Sequence, residues 1–312
     1  MNKIISIGEA LIDMSPMTNT EKPSFQANIG GAPLNVLSAL AKWGVNTSYI
    51  GKVGDDLFGE QILEKLNALN IDTSAMQMAE HTKTTLAFVS LKADGERSFD
   101  FYRSPGADQL LQPSDLDMET IGNADIIHFG SVSLSHEPSR SANFQALDFA
   151  AEQGIIVSYD PNLRLALWEN EKEARKVSLE AARYADILKI SREELLFLTE
   201  EKKVEDAITH FKNISLIFVT LGAKGCYYYG ENRSGFSPPH EVSAIDSTGA
   251  GDAFMASVLF GILRHTNNIN HLTNDGLEKI ATFANHIAAH STTRSGGFDV
   301  VKGLDEIPPE HI

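Results

Sequence analysis

Short β-branched runs alternate with longer stretches of helical spacing along most of this chain. Ile4–Ile7, Ser48–Val53, Asp125–Phe129, Ile155–Asp160, Ile187–Ile190 and Leu216–Thr220 read as buried strands. Between them, Ala32–Trp43, Phe58–Leu69, Ser139–Gln153, Glu171–Tyr184 and Arg192–Leu198 carry helical spacing, and Ala253–Leu263 is an apolar helical run. This alternation predicts βαβ units: an α/β fold with a doubly wound, mostly parallel sheet and helices on both faces. Ligands of such sheets gather beyond the carboxyl ends of the strands. One stretch breaks the rhythm. Thr82–Arg103, with a turn at Ala93-Asp94-Gly95, reads as a β-hairpin that can join residues near Ser15–Asn28 in a small separate sheet. Such an appendage suits a lid, though an ordinary edge hairpin gives the same pattern. The expected organisation is one domain over residues 1–312, with lid segments at about 14–29 and 77–110 inserted in the α/β core.

Composition narrows the partners. The 26 basic and 42 acidic residues give a net charge of −16, which argues against nucleic acid or an anionic membrane. An anionic ligand must then be held by local devices such as helix N-termini, single arginines or a divalent metal. Cys226 is the only cysteine, so neither an intrachain disulfide nor a cysteine-based zinc site is expected. With no signal-peptide pattern at Met1–Gly8 and no apolar segment of membrane-spanning length, a cytoplasmic location is expected.

Three segments carry candidate chemistry. Asp246-Ser247-Thr248-Gly249-Ala250-Gly251-Asp252-Ala253-Phe254 opens the apolar helix at Ala253–Leu263, so small residues let backbone N–H groups converge on an anion. Asp252 in the first turn is placed to take a proton from an attacking hydroxyl. The helix N-terminus favours its ionised form. Neither a Walker A lysine nor a third dinucleotide glycine follows, and a capped helix entry remains the plainer alternative. Gly30-Gly31-Ala32-Pro33-Leu34-Asn35 opens another helix, with Asp13 shortly before it; a carboxylate and an amide suit a hydroxyl-rich ligand, but a helix-entry turn reads alike. Tyr159-Asp160-Pro161-Asn162-Leu163-Arg164, with Leu167-Trp168, follows a buried strand, and Arg164 can bind an anionic oxygen unless the segment is only a capped turn.

Together the glycine pair and Asp246–Asp252 resemble the two signatures of the PfkB (ribokinase-like) carbohydrate kinases, and the resemblance runs from Ile4 to Phe298. Phe101–Asp108, His128–Leu134 with Glu137–Ser141, and Tyr159–Leu165 with Trp168 are most similar to fructokinases. The resemblance implies a β-sheet lid, often shared in a homodimer, and ATP-dependent phosphorylation of a sugar hydroxyl. It makes Asp252 the base and Gly249, Ala250 and Gly251 the anion hole. On the sugar side it puts Asp13, Gly30, Gly31, Asn35, Arg103 and Arg164. On the nucleotide side it puts Lys189, Thr220, Gly222, Gly225 and Asn285, together with Gly249 and Gly251. Asp246, Thr248, Ser291, Arg294 and Gly296 match loops that hold a monovalent cation, K+, and Glu194 matches an element that handles Mg2+ indirectly. There this chain departs from the family, because Ser191 stands where asparagine is usual, and a hydroxyl has the shorter reach.

The implied activity is fructokinase, with the 6-hydroxyl as acceptor. A 2-dehydro-3-deoxygluconate kinase is the near alternative, but it must bind a carboxylate, and Phe101 stands where a helpful aromatic hydroxyl is expected. A catalytically silent sugar-binding regulator, of another class, is expected to have lost Asp252 or the glycines. His286 and His290 lie four apart on a helix without the glutamate of a zinc protease, which leaves them a packing or solvated role.

Overall fold

A computed structural model describes residues 3–17, 22–91, 97–231, 233–265 and 269–307. The strands are β1 Lys3–Ile7, β2 Leu11–Pro16, β3 Phe25–Gly30, β4 Asn46–Gly54, β5 Met76–Ala79, β6 Thr85–Leu91 and β7 Arg97–Tyr102. They continue with β8 Ile126–Gly130, β9 Ile156–Asp160, β10 Ile187–Ser191, β11 Leu216–Thr220, β12 Cys226–Gly230 and β13 Arg233–Ser237. The helices are α1 Ala32–Lys42, α2 Leu57–Ala68, α3 Met118–Gly122, α4 Ser139–Gln153 and α5 Glu171–Ala181. After them come α6 Arg192–Thr199, α7 Val204–Ala207, α8 Ala250–His265 and α9 Asn274–Ser291.

Nine strands form the main sheet in the order β13-β12-β11-β10-β9-β8-β1-β4-β5. From β11 to β5 every pairing is parallel, and β12 and β13 add an antiparallel edge. Alternation along each strand feeds two cores. Ile4, Leu216 and Phe218 pack with α1, α8 and α9 on one face, while Ile5, Ile7, Ile217 and Val219 pack with α4, α5 and α6 on the other. The doubly wound α/β expectation therefore holds.

The chain leaves β1 for β4 on one side and later returns through β8 on the other, so the strand order reverses between β1 and β8. A crevice opens beyond the carboxyl ends of strands at such a reversal. Over it lies a separate sheet, ordered β3-β2-β6-β7. The hairpin expected at Thr82–Arg103 is β6 and β7, with Leu86 opposite Tyr102, and its partners near Ser15–Asn28 are β2 and β3. The turn at Ala93–Gly95 lies outside the described residues. β5, at the margin of the expected lid segment, instead pairs with β4 of the main sheet. Among the described residues, no helix is long and apolar enough to cross a membrane.

Candidate active site

Two helix N-termini meet at the reversal point. α1 begins after Gly31, whose backbone has φ 111°; a Cβ there would lie 2.4 Å from the Glu9 carbonyl oxygen, so glycine is required. No side chain next to Gly31 caps α1. Glu9, just beyond β1, does so from a distance, its Oε1 accepting from the Ala32 N–H at 3.0 Å. α8 begins at Ala250 after Gly249, which has φ 75° and would place a Cβ 2.8 Å from Gly297 Cα. The first turns are joined, because Asn35 Nδ2 donates to Asp252 Oδ2 at 2.7 Å. Asn162 Nδ2 approaches the other oxygen of Asp252 at 3.4 Å.

Around this junction lies a cavity of about 310 Å³. Asp13, Gly31, Asn35, Arg164, Thr248, Gly249, Gly251 and Asp252 line it, and Gly30 backs it so closely that a Cβ would meet Asp13 Oδ2 at 2.3 Å. Phe99 and Phe101 of β7 form the wall from the small sheet. Two buried oxygens on its lining residues, Glu9 Oε2 and Asn35 Oδ1, have no protein hydrogen-bond partner. They lie beneath the cavity surface, and the carboxylates of Asp13 and Asp252 that line it are the acceptors suited to the hydroxyls of a polar ligand.

The electrostatics depart from one expectation. Helix geometry alone predicts a lowered Asp252 pKa, yet burial raises it, against the Asn35 hydrogen bond and the charges of Lys189 and Arg164. Desolvation wins because the carboxylate is almost wholly enclosed. Burial likewise pushes Glu9 up to about 7, opposed by hydrogen bonds from its own and the Ala32 N–H groups. Burial works against the charge of Lys189, but Asp160, Glu194 and Asp252 outweigh it and hold the ammonium above its ordinary range. Lys189 Nζ lies 2.8 Å from Asp160 Oδ2, and a Cβ on Gly251 would come within 2.7 Å of that nitrogen. A cation thus sits at the mouth of the α8 N-terminus.

Glu194 and Ser191 explain the departure at α6. Ser191 caps the helix, accepting from the Glu194 N–H at 3.2 Å, while Glu194 Oε2 accepts from the Ser191 hydroxyl at 2.8 Å. The other oxygen of Glu194 accepts from the Leu163 N–H at 2.7 Å and so fixes the loop that carries Asn162 and Arg164. Thr220 pairs with Ser191 in the β10–β11 register, which puts the Thr220–Gly225 turn beside this element. Gly225 has φ 96° and Gly222 φ 60°, as that turn requires. Asn285 holds the end of β13, donating to Ser237 O and Pro238 O, each at 3.1 Å.

The two loops expected to hold a monovalent cation are brought together. Asp246 accepts from the Thr248 N–H at 2.7 Å and the Gly296 N–H at 3.1 Å, and its own N–H donates to Thr292 O at 3.0 Å. The Ser291 hydroxyl is turned back to Ala288 O, and the Arg294 guanidinium faces Glu306 at 3.9 Å. Arg103 does not line the cavity. It lies behind it in a buried pair with Asp108 at 2.6 Å and donates to Ser135 Oγ at 3.1 Å. Nothing in the spacing singles out Glu9, or Asn162 as a neighbour of Asp252; a carboxylate directly past the first parallel strand is the one signal for Glu9.

A doubly wound sheet, a covering β-sheet and two glycine-led helix N-termini around one carboxylate make up the architecture of a carbohydrate kinase. The model of the pfkB family carbohydrate kinases matches residues 1–301, and the chain belongs to that family. Fructokinase-1 of Oryza sativa subsp. japonica is 41% identical over 300 residues, covering 94% of this chain and 92% of its own. The fructokinase of Xylella fastidiosa, solved with bound ATP, superimposes with a TM-score of 0.91 at 31% identity, covering 97% of this chain and 96% of that one. A fructokinase double mutant from Vibrio cholerae O395, with fructose, ADP and potassium ion bound, gives 0.88 at 32% identity, covering 96% and 95%.

Proposed function

We propose that this chain is an ATP-dependent fructokinase that transfers the γ-phosphoryl group to the 6-hydroxyl of fructose, with Asp252 as the base. The observation that carries the reading is the position of Asp252. It stands in the first turn of α8, tied to Asn35 of α1, on a cavity whose lining offers hydroxyl acceptors on one side and a cation-flanked helix N-terminus on the other. Fructose lies among Asp13, Asn35 and Arg164, under a lid formed by the four-stranded sheet on this single domain. The attacking hydroxyl gives its proton to Asp252 as the bond to phosphorus forms. Gly249, Ala250 and Gly251 stabilise the phosphoryl oxygens, helped by Lys189. The phosphates extend over the ends of β10 and β11 toward Thr220–Gly225, and the base lies toward Asn285.

Mg2+ bound with ATP would neutralise phosphate charge. Glu194 fits an indirect hold on it, since both its oxygens already accept protein hydrogen bonds and reach a hydrated ion best through water. The Asp246 carboxylate and the carbonyls of the two loops fit K+. The enzyme works in the cytoplasm, where ATP is supplied. A silent regulator is disfavoured by the retained Asp252, Gly249 and Gly251, and the keto-acid substrate by Phe99 and Phe101, which add no hydroxyl to the cavity wall. An ADP-release assay against fructose, 2-dehydro-3-deoxygluconate, ribose and adenosine tests the reading. Turnover with fructose foremost and product phosphorylated at the 6-position supports it; preference for the keto-acid, or no turnover, rejects it.

Asp252 acts as a base only when ionised. Because burial raises its pKa, the acid limb of kcat/KM should lie at higher pH than an exposed aspartate gives, activity rising as pH climbs through it. Glu9 titrates near 7 in the same cavity, so the profile is read again in Glu9→Gln. A limb in that variant at the ordinary aspartate range would contradict the assignment.

The small sheet also offers a surface for a second copy. Phe88 contacts Phe25 and Tyr102 with ring centroids 5.1 and 5.0 Å apart, and Tyr102 is 69% exposed. Contiguous exposed aromatics of this kind mark interfaces. The homodimer through the lid should appear by light scattering, and Tyr102→Glu should shift it toward monomer; an unchanged dimer would place the interface elsewhere.

A further inference from the structure

The pair His286 and His290, one turn apart on α9, gains a third member in the folded chain. His240 follows β13 by three residues and approaches both. Ring centroids are 4.4 Å apart for His240–His286, 4.4 Å for His286–His290 and 5.1 Å for His240–His290. One ring nitrogen from each of the three falls within 4.8 Å of those of the other two. They line a cavity of about 290 Å³ together with Ser291 and Glu306, separate from the one at Asp252.

We infer that His240, His286 and His290 form a binding site for a borderline transition-metal ion, Zn2+ being the representative case. Imidazole nitrogen suits Zn2+, Co2+ and Ni2+, whereas Mg2+ and K+ prefer oxygen, so this site is chemically distinct from the cation positions proposed for catalysis. Tetrahedral Zn2+ with Zn–N bonds of about 2.0–2.1 Å needs ligand nitrogens about 3.3–3.4 Å apart. Metal binding would draw the three nitrogens in from within 4.8 Å of one another to that value. His240 is exposed, while His286 is buried and forms the floor. The i, i+4 spacing already places two ligands on one helix face. The base of the loop carrying His240 is also fixed against α9, because Asn285 donates to Ser237 O and Pro238 O. Three ligands leave the fourth position to water. Ile287 stands where the zinc-protease motif carries its glutamate, so that motif is absent. The role assigned to the ion is to fasten. The ion would clamp the segment from Pro238 toward Asp246 onto α9, which Ile245 and Asp246 already meet through Thr292 O at 2.7 and 3.0 Å.

The test uses the full chain without an affinity tag, stripped with chelator and free of nucleotide. Calorimetric titration with Zn2+ should show one ion per chain, unaffected by excess Mg2+. Co2+ should give the intense visible bands of a tetrahedral nitrogen-ligated ion. His240→Ala removes a ligand from an exposed loop. It should weaken Zn2+ binding by more than the ~10–100-fold that a mere outer-shell partner is worth. It should also abolish the Zn2+-induced rise in Tm. His290→Ala should behave alike. No stoichiometric Zn2+ binding by the wild-type chain, or wild-type affinity in His240→Ala, would overturn the site.

Discussion

Replacing Asp252 by asparagine should lower kcat for fructose by about 10³-fold, within the 10²–10⁴-fold range of a general base, while fructose affinity stays close to wild type. The two effects separate for a structural reason. Asp252 Oδ2 accepts from Asn35 Nδ2 at 2.7 Å, and the replacement amide keeps an oxygen for that contact while giving up only the longer 3.4 Å one from Asn162. What is lost is the capacity to take a proton. The substitution also removes a buried carboxylate whose ionised form burial disfavours, so folding should be unharmed. Single-turnover kinetics and calorimetric binding of fructose provide the two readings. A variant retaining more than about a tenth of wild-type kcat would remove Asp252 from the role of base.

The largest effect on stability is expected at Arg103. Its side chain is 3% exposed and that of Asp108 0% exposed, with Nη2 2.6 Å and Nε 2.9 Å from Asp108 Oδ2. Asp108 also accepts from Thr85 of β6, and Arg103 donates to Ser135 Oγ and the Val132 carbonyl beyond β8. The pair therefore joins the small sheet to the main one. Arg103→Met leaves Asp108 buried without its counter-charge and should lower the unfolding free energy by about 3–5 kcal/mol. The double replacement Arg103→Met with Asp108→Leu should recover much of that loss, since well-packed apolar residues often replace a buried pair at little cost. Urea unfolding measures both. If the double variant is stable yet KM for fructose remains high, Arg103 also meets the sugar; a single variant as stable as wild type would show that the pair holds nothing.

Parallel strands were readable because they are buried on both faces: the expected Leu216–Thr220 is β11, and Ile187–Ile190 lacks only Ser191 of β10. The helix at Ser139–Gln153 likewise coincides with α4, its end fixed by Gly154 in the left-handed conformation. The antiparallel edge was not legible. β12 and β13, with Tyr227-Tyr228-Tyr229 and Gly235, lack a continuous apolar run because the edge is only partly buried. At the site, glycine pairs and helix entries announced Gly31, Asn35, Gly249 and Asp252 through local rules. Glu9 and His240 could not be found that way. Each owes its setting to residues far off in sequence, Glu9 to Ala32 and His240 to α9. The sign of the Asp252 pKa shift is hidden for the same reason, since a helix start is visible in sequence and enclosure is not.

The hydrogen bond between Asn35 and Asp252 spans 217 positions of the chain. During synthesis α1, the small sheet and most of the main sheet emerge well before α8. A chain halted short of α8 therefore lacks the Ser247–Asp252 side of the cavity, along with the helix that packs against α1. The junction closes only when α8 docks against α1. The two halves of the cavity are thus made far apart in time, and it exists only once both are folded together.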